Sequence, residues 1–211
     1  TVDTIRFPAE PEGFENGRDG WTTDNAAVWQ VGEPTSGPKA AHSGTNCLAT
    51  VLGGNYPLSA NSRAISPAFV VPSADQNPRL RFWHWFSMYY TGIDKGYVEV
   101  KVSGTTDWVK LSGDYTYSSG TWTYVSLDLG KYADQNVQFA FHIQDDGGYN
   151  SSSGALYVDA GWYIDDVVVV TGPIQTLMAN VPESFEGGLG DWCAENGLWE
   201  VGVPTSGPMR S

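Results

Sequence analysis

The chain has three histidines, the residue type used most often as a general acid or base: His42, His84 and His142. None of them stands in an HExxH pattern, and the sequence contains no GxSxG elbow, P-loop or dinucleotide-binding glycine pattern. His84 alternates with apolar residues, which is typical of a hydrogen-bonded core histidine. Glu99 with Asp94 or Asp145 would supply two carboxylates for a glycosidase, but their spacing alone does not indicate one. We therefore predict that the chain is not an enzyme, although its full-length parent could be.

A set of aromatic and polar side chains is predicted to form a ligand-binding patch. Segments 80–88, 97–102 and 137–144 alternate between apolar and other residues, which is typical of half-buried strands. If these strands share a sheet, their non-core side chains lie together: Trp83, Trp85, Tyr97, Glu99, His142 and Gln144, beside Arg81. Flat rings flanked by hydrogen-bonding groups bind sugar rings. The alternative is that loops or a neighbouring repeat cover these rings and make a second small core.

The strands that must position this patch recur along most of the chain. Further candidate strands lie at 28–31, 47–52, 69–71, 108–111, 122–129 and 162–170, separated by turns rich in Gly, Pro and Asn. No stretch of a dozen residues shows helical periodicity free of Gly or Pro. The pattern predicts an all-β protein in which two antiparallel sheets form a sandwich.

The composition excludes several classes of protein. Aromatic residues make up 13% of the 211 residues and charged residues only 17%, the reverse of a disordered chain. A net charge of −13 repels phosphates, so nucleic acid is not an expected partner. The longest aliphatic run, 167–170, is far too short for a membrane span. This acidic, Trp- and Tyr-rich composition favours a secreted or cell-surface location, and we expect any signal peptide to be absent from the sequence given.

An internal repeat determines the expected organisation of the chain. Segment 12–38 (EGFENGRDGWTTDNAAVWQVGEPTSGP) returns as 183–208 (ESFEGGLGDWCAENGLWEVGVPTSGP), so the period is about 170 residues. We therefore expect an N-terminal extension (1–11), one full module (12–172), a linker (173–182) and the incomplete start of a second repeat (183–211). The alternative is that 183–211 is a folded C-terminal extension of one domain.

The start of the second repeat carries apolar residues whose own module is incomplete. We expect this segment to lie against a protein surface, with Trp192 and Trp199 largely buried, because exposed aromatic side chains are unfavourable. A disulfide between Cys47 and Cys193 could hold it there, but two cysteines do not decide the question.

Seven motifs occur in an order that resembles a known family. They are FENG (14–17), VWQVG (28–32), SPAF (66–69), LRFWHWF (80–86), DKGYVEVKVSG (94–104), VSLDL (125–129) and GWYIDDVVV (161–169). This order resembles the jelly-roll modules of secreted bacterial metallopeptidases of the immune inhibitor A type. More distantly it is similar to MAM domains and to the cleaved-adhesin domains of gingipains. Thr22 stands where MAM domains usually have a cysteine, which excludes a MAM-type disulfide in the full module.

The resemblance implies an antiparallel jelly-roll β-sandwich but does not specify a function, since different proteins carry such modules. We expect a secreted, non-catalytic module for attachment or substrate targeting within a tandem-repeat protein. Its partners would be an extracellular glycan or protein surface and the neighbouring repeats of the same chain. The alternatives are a carbohydrate-binding module that uses the aromatic sheet face, and an accessory domain of a secreted metallopeptidase.

A structural calcium is the cofactor that the resemblance implies. In similar modules a Glu at the FE position and an Asp of the terminal DD motif share the ion, which corresponds to Glu15 and to Asp165 or Asp166, with Ser43 as a carbonyl donor. Carboxylates that converge in a packed region also repel each other unless a cation neutralises them. The alternative is that Asp165 points to solvent and Asp166 caps a turn. The loop that begins at Asp145-Asp146 could hold a second ion, but a solvated loop is the preferred interpretation.

Overall fold

The computed structural model describes residues 10–89, 93–149, 151–173, 180, 182–185, 192 and 201. Within them the chain forms eleven strands and two single-turn 3-10 helices, at Ala74–Gln76 and Gly130–Tyr132. Neither helix is long and apolar enough to cross a membrane. The strands are β1 (Thr22–Thr23), β2 (Gln30–Gly32), β3 (Cys47–Ala49), β4 (Asn61–Ile65), β5 (Phe69–Val70), β6 (Arg79–Ser87), β7 (Lys95–Val102), β8 (Val109–Lys110), β9 (Thr123–Asp128), β10 (Asn136–Gln144) and β11 (Gly161–Val170).

The strands form two antiparallel sheets, which confirms the predicted all-β sandwich with jelly-roll character. The six-stranded sheet has the order β1-β4-β10-β7-β8, with β5 also pairing with β10, and the five-stranded sheet has the order β2-β3-β11-β6-β9. The outermost strands are short: β1 and β8 have two residues each, β2 has three and β9 has six. All nine predicted strands are present, whereas β1 and β4 were not predicted.

The core lies between the sheets and is dominated by aromatic side chains. Strand β6 shows the expected alternation, with Phe82, His84 and Phe86 buried against the other sheet. Trp162 of β11 is fully buried and donates a hydrogen bond of 3.2 Å from Nε1 to His84 Nδ1. Burial lowers the pKa of His84 to about 3, so the imidazole is neutral at physiological pH. The prediction that His84 is a satisfied core histidine is confirmed.

A β-bulge in β11 determines where its two aspartates point. The pairing of β11 with β6 shifts register between Asp165 and Val168, and Asp166 adopts a left-handed conformation with φ of +50°. In a regular strand consecutive side chains point to opposite faces. Here both Asp165 and Asp166 reach the loop at His42 and Ser43 instead.

The start of the predicted second repeat reproduces local geometry of the first. The rings of Phe14 and Trp21 meet edge to face at 5.5 Å, and those of Phe185 and Trp192 do so at 5.6 Å. Each Phe has a left-handed backbone, with φ of 58° and 56°, and its N–H donates to the glutamate two residues earlier. This likeness supports the proposed repeat. Trp192 is 41% exposed, so the expectation that it is largely buried is wrong; Trp199 and Cys193 lie outside the described residues.

Candidate functional site

The six residues of the predicted binding patch lie on two different sheets. Trp83 and Trp85 belong to β6 in the five-stranded sheet, whereas β7 and β10, which carry the other four, belong to the six-stranded sheet. The expectation that they share one face is therefore wrong. Alternation along a strand assigns each side chain to a face of its own sheet, but it does not reveal which strands are neighbours.

A loop covers much of the outer surface around Trp83 and Trp85. The ring of His42 stacks on Trp83, with ring centres 3.9 Å apart, and Trp122 Nε1 donates to the carbonyl of Ala40 at 3.3 Å. A Cβ atom on Gly37 would lie 2.9 Å from Trp85, so the loop backbone packs directly against that ring. Cys47, Ala49 and Tyr163 form a small hydrophobic cluster beneath, against which Trp85 packs. This arrangement corresponds to the predicted alternative, a second small core.

The other four predicted residues share the outer surface of the six-stranded sheet. We name this surface the Glu99 face, formed by Asn61, Arg63, Lys95, Tyr97, Glu99, Lys101, Trp108, Lys110, His142 and Gln144. The register places His142 opposite both Tyr97 and Arg63, and Gln144 opposite Asn61. The structure therefore brings together Tyr97, Glu99, His142 and Gln144 and adds residues from β4 and β8.

The carboxylate of Glu99 organises a buried polar network on this face. Its Oε2 atom accepts a hydrogen bond of 2.7 Å from Arg63 Nε and lies 3.0 Å from His142 Nδ1. The other ring nitrogen of His142 lies 2.7 Å from Asn61 Oδ1. Glu99 and His142 are only 7% and 4% exposed although they point away from the core. The network therefore fixes several polar side chains in place before any ligand arrives.

Two aromatic rings flank the network, and each carries cations over its face. The Lys110 ammonium lies 4.1 Å from the ring centre of Tyr97, and the Lys101 ammonium lies 4.8 Å from that of Trp108. The Arg63 guanidinium is 5.6 Å from the Trp108 ring. These distances are favourable for cation–π contacts. A sugar ring could stack on Tyr97 or Trp108 only if the cation over that ring moved away.

The protonation of the network is determined mainly by burial. Burial lowers the pKa of His142, and the charge of Arg63 lowers it further despite the neighbouring Glu99 carboxylate. Burial also raises the pKa of Tyr97, as does the charge of Glu99. Arg63 and Glu99 form an ion pair within the network.

The four predicted calcium ligands meet at the loop 42–46, on the other sheet. Asp165 Oδ2 accepts hydrogen bonds from the N–H groups of His42 and Ser43, at 2.9 and 3.0 Å. Asp166 accepts a 2.6 Å bond from Ser43 Oγ and lies 2.6 Å from His42 Nδ1. Glu15 Oε1 accepts from the N–H groups further along this loop, at 2.8 and 2.7 Å. We call Glu15, Ser43, Asp165 and Asp166 the Asp165 cluster.

The Asp165 cluster has features that both favour and oppose a cation. A Cβ atom on Gly13 would lie 3.6–3.8 Å from Asp165 Oδ1, Asp166 Oδ1 and Ser43 Oγ, so three oxygens surround the space that this glycine leaves open. Burial raises the pKa of Asp165 to about 7, which a nearby cation would reverse. However, the loop offers its N–H groups to these carboxylates, whereas calcium would need its carbonyl oxygens. The carboxylate and hydroxyl oxygens of the cluster are suitable ligands for a cation. However, the loop N–H groups already satisfy the carboxylates of Asp165 and Glu15 without one.

A second acidic group lies at one end of the sandwich. The side chains of Asp94, Asp145 and Asp146, which we call the loop-end triad, have ligand oxygens that all lie within 4.8 Å of one another. It is the one group of this kind within the part of the chain that the structure describes. Asp94 is 1% exposed and accepts a 2.6 Å bond from the Tyr56 hydroxyl. Burial, with a hydrogen bond to Asp94, raises the pKa of Asp145 to about 6.

The strand register explains how the loop-end triad forms. Asp94 precedes β7 and Asp145 follows β10, and their neighbours Lys95 and Gln144 are partners in the sheet. The pairing of the two central strands thus places both carboxylates at the same corner. The sequence singled out Asp145-Asp146 as a candidate ion loop, but it gave no reason to add Asp94. It also missed Asn61 and Arg63 of the Glu99 face, because β4 was not predicted, and it did not assign Trp108, at the start of the predicted strand 108–111, to this face.

Comparisons with known proteins support the fold. No family model matches the sequence. Bacillopeptidase F of Bacillus subtilis strain 168 is 34% identical over 159 residues, which is 75% of this chain but only 10% of that protein. The chain thus spans about a tenth of the length of this curated relative.

An adhesin domain is among the solved structures of similar fold. The K1 cleaved adhesin domain of Lys-gingipain from Porphyromonas gingivalis W83 aligns over 77% of this chain and 97% of that domain, with a TM-score of 0.53 and 21% identity. A xylan-binding domain of carbohydrate-binding family 22 covers 80% of this chain and 96% of its own, with a TM-score of 0.48 and 12% identity. At the level of the fold the predicted resemblance to cleaved-adhesin domains is confirmed, while the MAM-like assignment stays a prediction. The chain has the fold of the Lys-gingipain cleaved adhesin domain.

Proposed function

We propose that this chain is a non-catalytic extracellular module that binds glycans through the Glu99 face. The observation that carries the proposal is the Glu99 network, in which a buried carboxylate holds Arg63 and His142 in fixed positions on an outward-facing sheet surface. Burying charged groups costs free energy and is rarely needed for the stability of a sheet. A prearranged set of donors and acceptors beside aromatic rings is the arrangement that polysaccharide recognition requires.

The role of such a module is attachment or substrate targeting for a larger extracellular protein. The similarity to a stretch of Bacillopeptidase F supports an accessory domain of a peptidase as a second candidate role. The internal repeat supports a parent protein with several copies of the module, one of them being residues 12–172. In both roles the Glu99 face would bring the parent protein to its substrate or surface.

Calcium is the proposed structural cofactor, and two positions are candidates. We favour the loop-end triad, because Asp94 and Asp145 are close together and both buried, and a cation would offset the repulsion between their carboxylates. The Asp165 cluster is the alternative that the family resemblance supports. In either place the ion would fix loops at the periphery of the sandwich.

Replacing Trp108 by alanine is expected to weaken glycan binding about tenfold or more, because a central aromatic contact typically contributes over 1 kcal/mol. Binding would be measured by affinity electrophoresis against a panel of soluble neutral and acidic polysaccharides. Gln144→Ala should weaken the same interaction through loss of a hydrogen bond. Unchanged melting temperatures would show that both variants fold.

Trp83→Ala and Trp85→Ala provide the matched controls on the opposite sheet. We expect them to leave glycan binding unchanged, because the loop around His42 covers these rings. The proposal is contradicted if no polysaccharide retards the wild-type chain, or if the Trp83 and Trp85 variants lose binding while the Trp108 variant retains it.

A further inference from the structure

Several lysine and arginine residues of this acidic chain lie on one surface. Of eleven in the sequence, four lie on the outer side of the six-stranded sheet: Arg63, Lys95, Lys101 and Lys110. Lys95 and Lys101 alternate with Tyr97 and Glu99 along β7, and Lys110 pairs with Glu99 from β8. The Glu99 face therefore carries four cations around the Glu99 carboxylate, in a chain whose formal net charge is −13.

The carboxylates near these cations are already engaged. Glu99 binds Arg63 and His142, and Asp24 lies 3.3 Å from the same guanidinium. Asp114 pairs with Lys110. Among the described residues, neither Lys95 nor Lys101 makes an ion pair within 4.0 Å. Two ammonium groups on this face are therefore available to an external anion.

The spacing of the cations fits a polymer better than a small acid. Lys95 and Lys101 are six residues apart on one strand, which corresponds to about 20 Å at 3.3–3.4 Å per residue. Lys110 and Arg63 lie between and beside them, through their register with Glu99 and His142. A small anion could contact one of the two available ammonium groups, whereas a chain with repeated negative charges could contact both and extend past Arg63 and Lys110 between them.

We propose that the ligand of the Glu99 face is an anionic polysaccharide, with carboxylate or sulfate groups on repeating sugars. This inference rests on the proposed glycan-binding function and specifies its substrate class. The Trp108 ring and the amides of Asn61 and Gln144 contact the sugar rings and hydroxyls, while Lys95 and Lys101 contact the anionic groups. When the sugar approaches Trp108, Lys101 moves from the ring to the anion.

The test is affinity electrophoresis of the full chain in gels containing polygalacturonate, chondroitin sulfate, neutral xylan or poly-glutamate. Polygalacturonate or chondroitin sulfate should retard the wild-type chain most, and the retardation should decrease as salt rises from 20 to 300 mM. The variant Lys95→Gln/Lys101→Gln should bind the acidic polysaccharide about tenfold more weakly, as expected for two exposed charge contacts. Lys39→Gln/Lys131→Gln changes the net charge equally at positions outside the face and should change binding less than twofold.

The outcomes separate this inference from the proposed function. Neutral xylan should retard the chain less than the acidic polysaccharides do. If it retards the chain more, and this retardation is lost in Trp108→Ala but unaffected in Lys95→Gln/Lys101→Gln, the anionic ligand is overturned and the proposed glycan binding is left intact. Equal retardation by poly-glutamate would also overturn it, because charge alone would then explain the interaction. Absence of retardation by every polysaccharide would overturn both. Retardation by polygalacturonate, which carries no sulfate, would show that carboxylate groups are sufficient for binding.

Discussion

Calcium at one hundred times its dissociation constant should raise the free energy of unfolding by about 2.7 kcal/mol, since it binds only the folded chain. For a chain of this size that corresponds to a rise in melting temperature of roughly 5–10 °C. Excess EDTA should reverse the rise, as measured by calorimetry with and without chelator. The physical reason is that a cation would offset the burial and the repulsion that raise the pKa of Asp145 beside Asp94.

The variant Asp145→Asn tests the position of the ion. It should abolish the response to calcium while leaving the calcium-free protein at least as stable as the wild type, because it removes a buried like-charge contact. Asp165→Asn should retain the response. The reverse pattern, with the response lost in Asp165→Asn and kept in Asp145→Asn, would place the ion at the Asp165 cluster. An unchanged wild-type melting curve in EDTA, with no bound metal by elemental analysis, would contradict calcium binding altogether.

Asp165→Ala should reduce the free energy of unfolding by about 3 kcal/mol at pH 5, because two loop N–H groups lose their acceptor at roughly 1–3 kcal/mol each. Urea unfolding in calcium-free buffer would measure it. The loop 42–46 should also loosen, which would expose Trp83 and shift the tryptophan emission to longer wavelength. Asp75→Ala, at an exposed carboxylate in the first 3-10 helix, is the control and should change stability by less than about 0.5 kcal/mol.

The effect of Asp165→Ala should become smaller as the pH rises. Burial raises the pKa of Asp165 from 3.8 in the unfolded state to about 7 in the folded state. Between about pH 4 and pH 7 the folded state therefore binds more protons at this group than the unfolded state does. The wild type therefore loses stability as the pH rises from about 4 to 7, whereas the alanine variant has no such group. A larger destabilisation at pH 8 than at pH 5 would contradict this account.

The strands were predictable where one side faces the core with large apolar residues. Strands β6, β7 and β10 have that alternation. Strand β4 does not, because its inward residues are Ser62 and Ala64, which are small enough to leave no periodic signal. Since β4 carries Asn61 and Arg63, the failure to predict this strand also left two of the four residues of the polar network out of the predicted site.

The grouping of strands into sheets could not be deduced from local pattern. Trp83 and His142 both point outward from their strands, and only long-range pairing shows that they lie on opposite sides of the sandwich. The contact of Asp94 with Asp145 depends likewise on the pairing of Lys95 with Gln144. The convergence of Glu15, Asp165 and Asp166 on one loop was expected from the family resemblance, but the bulge that makes it possible leaves no sequence signal.

The short outer strands limit strand pairing between similar modules in one polypeptide. An exposed strand edge offers unpaired N–H and C=O groups on which another chain can add a strand, and closely related sequences are the best templates for such errors. Three of the four outer strands here, β1, β2 and β8, offer two or three residues each, too few for a stable added strand. Domain swapping and amyloid-like growth between copies are thereby disfavoured at these edges. The six-residue edge of β9 is where aggregation of partly unfolded copies would begin.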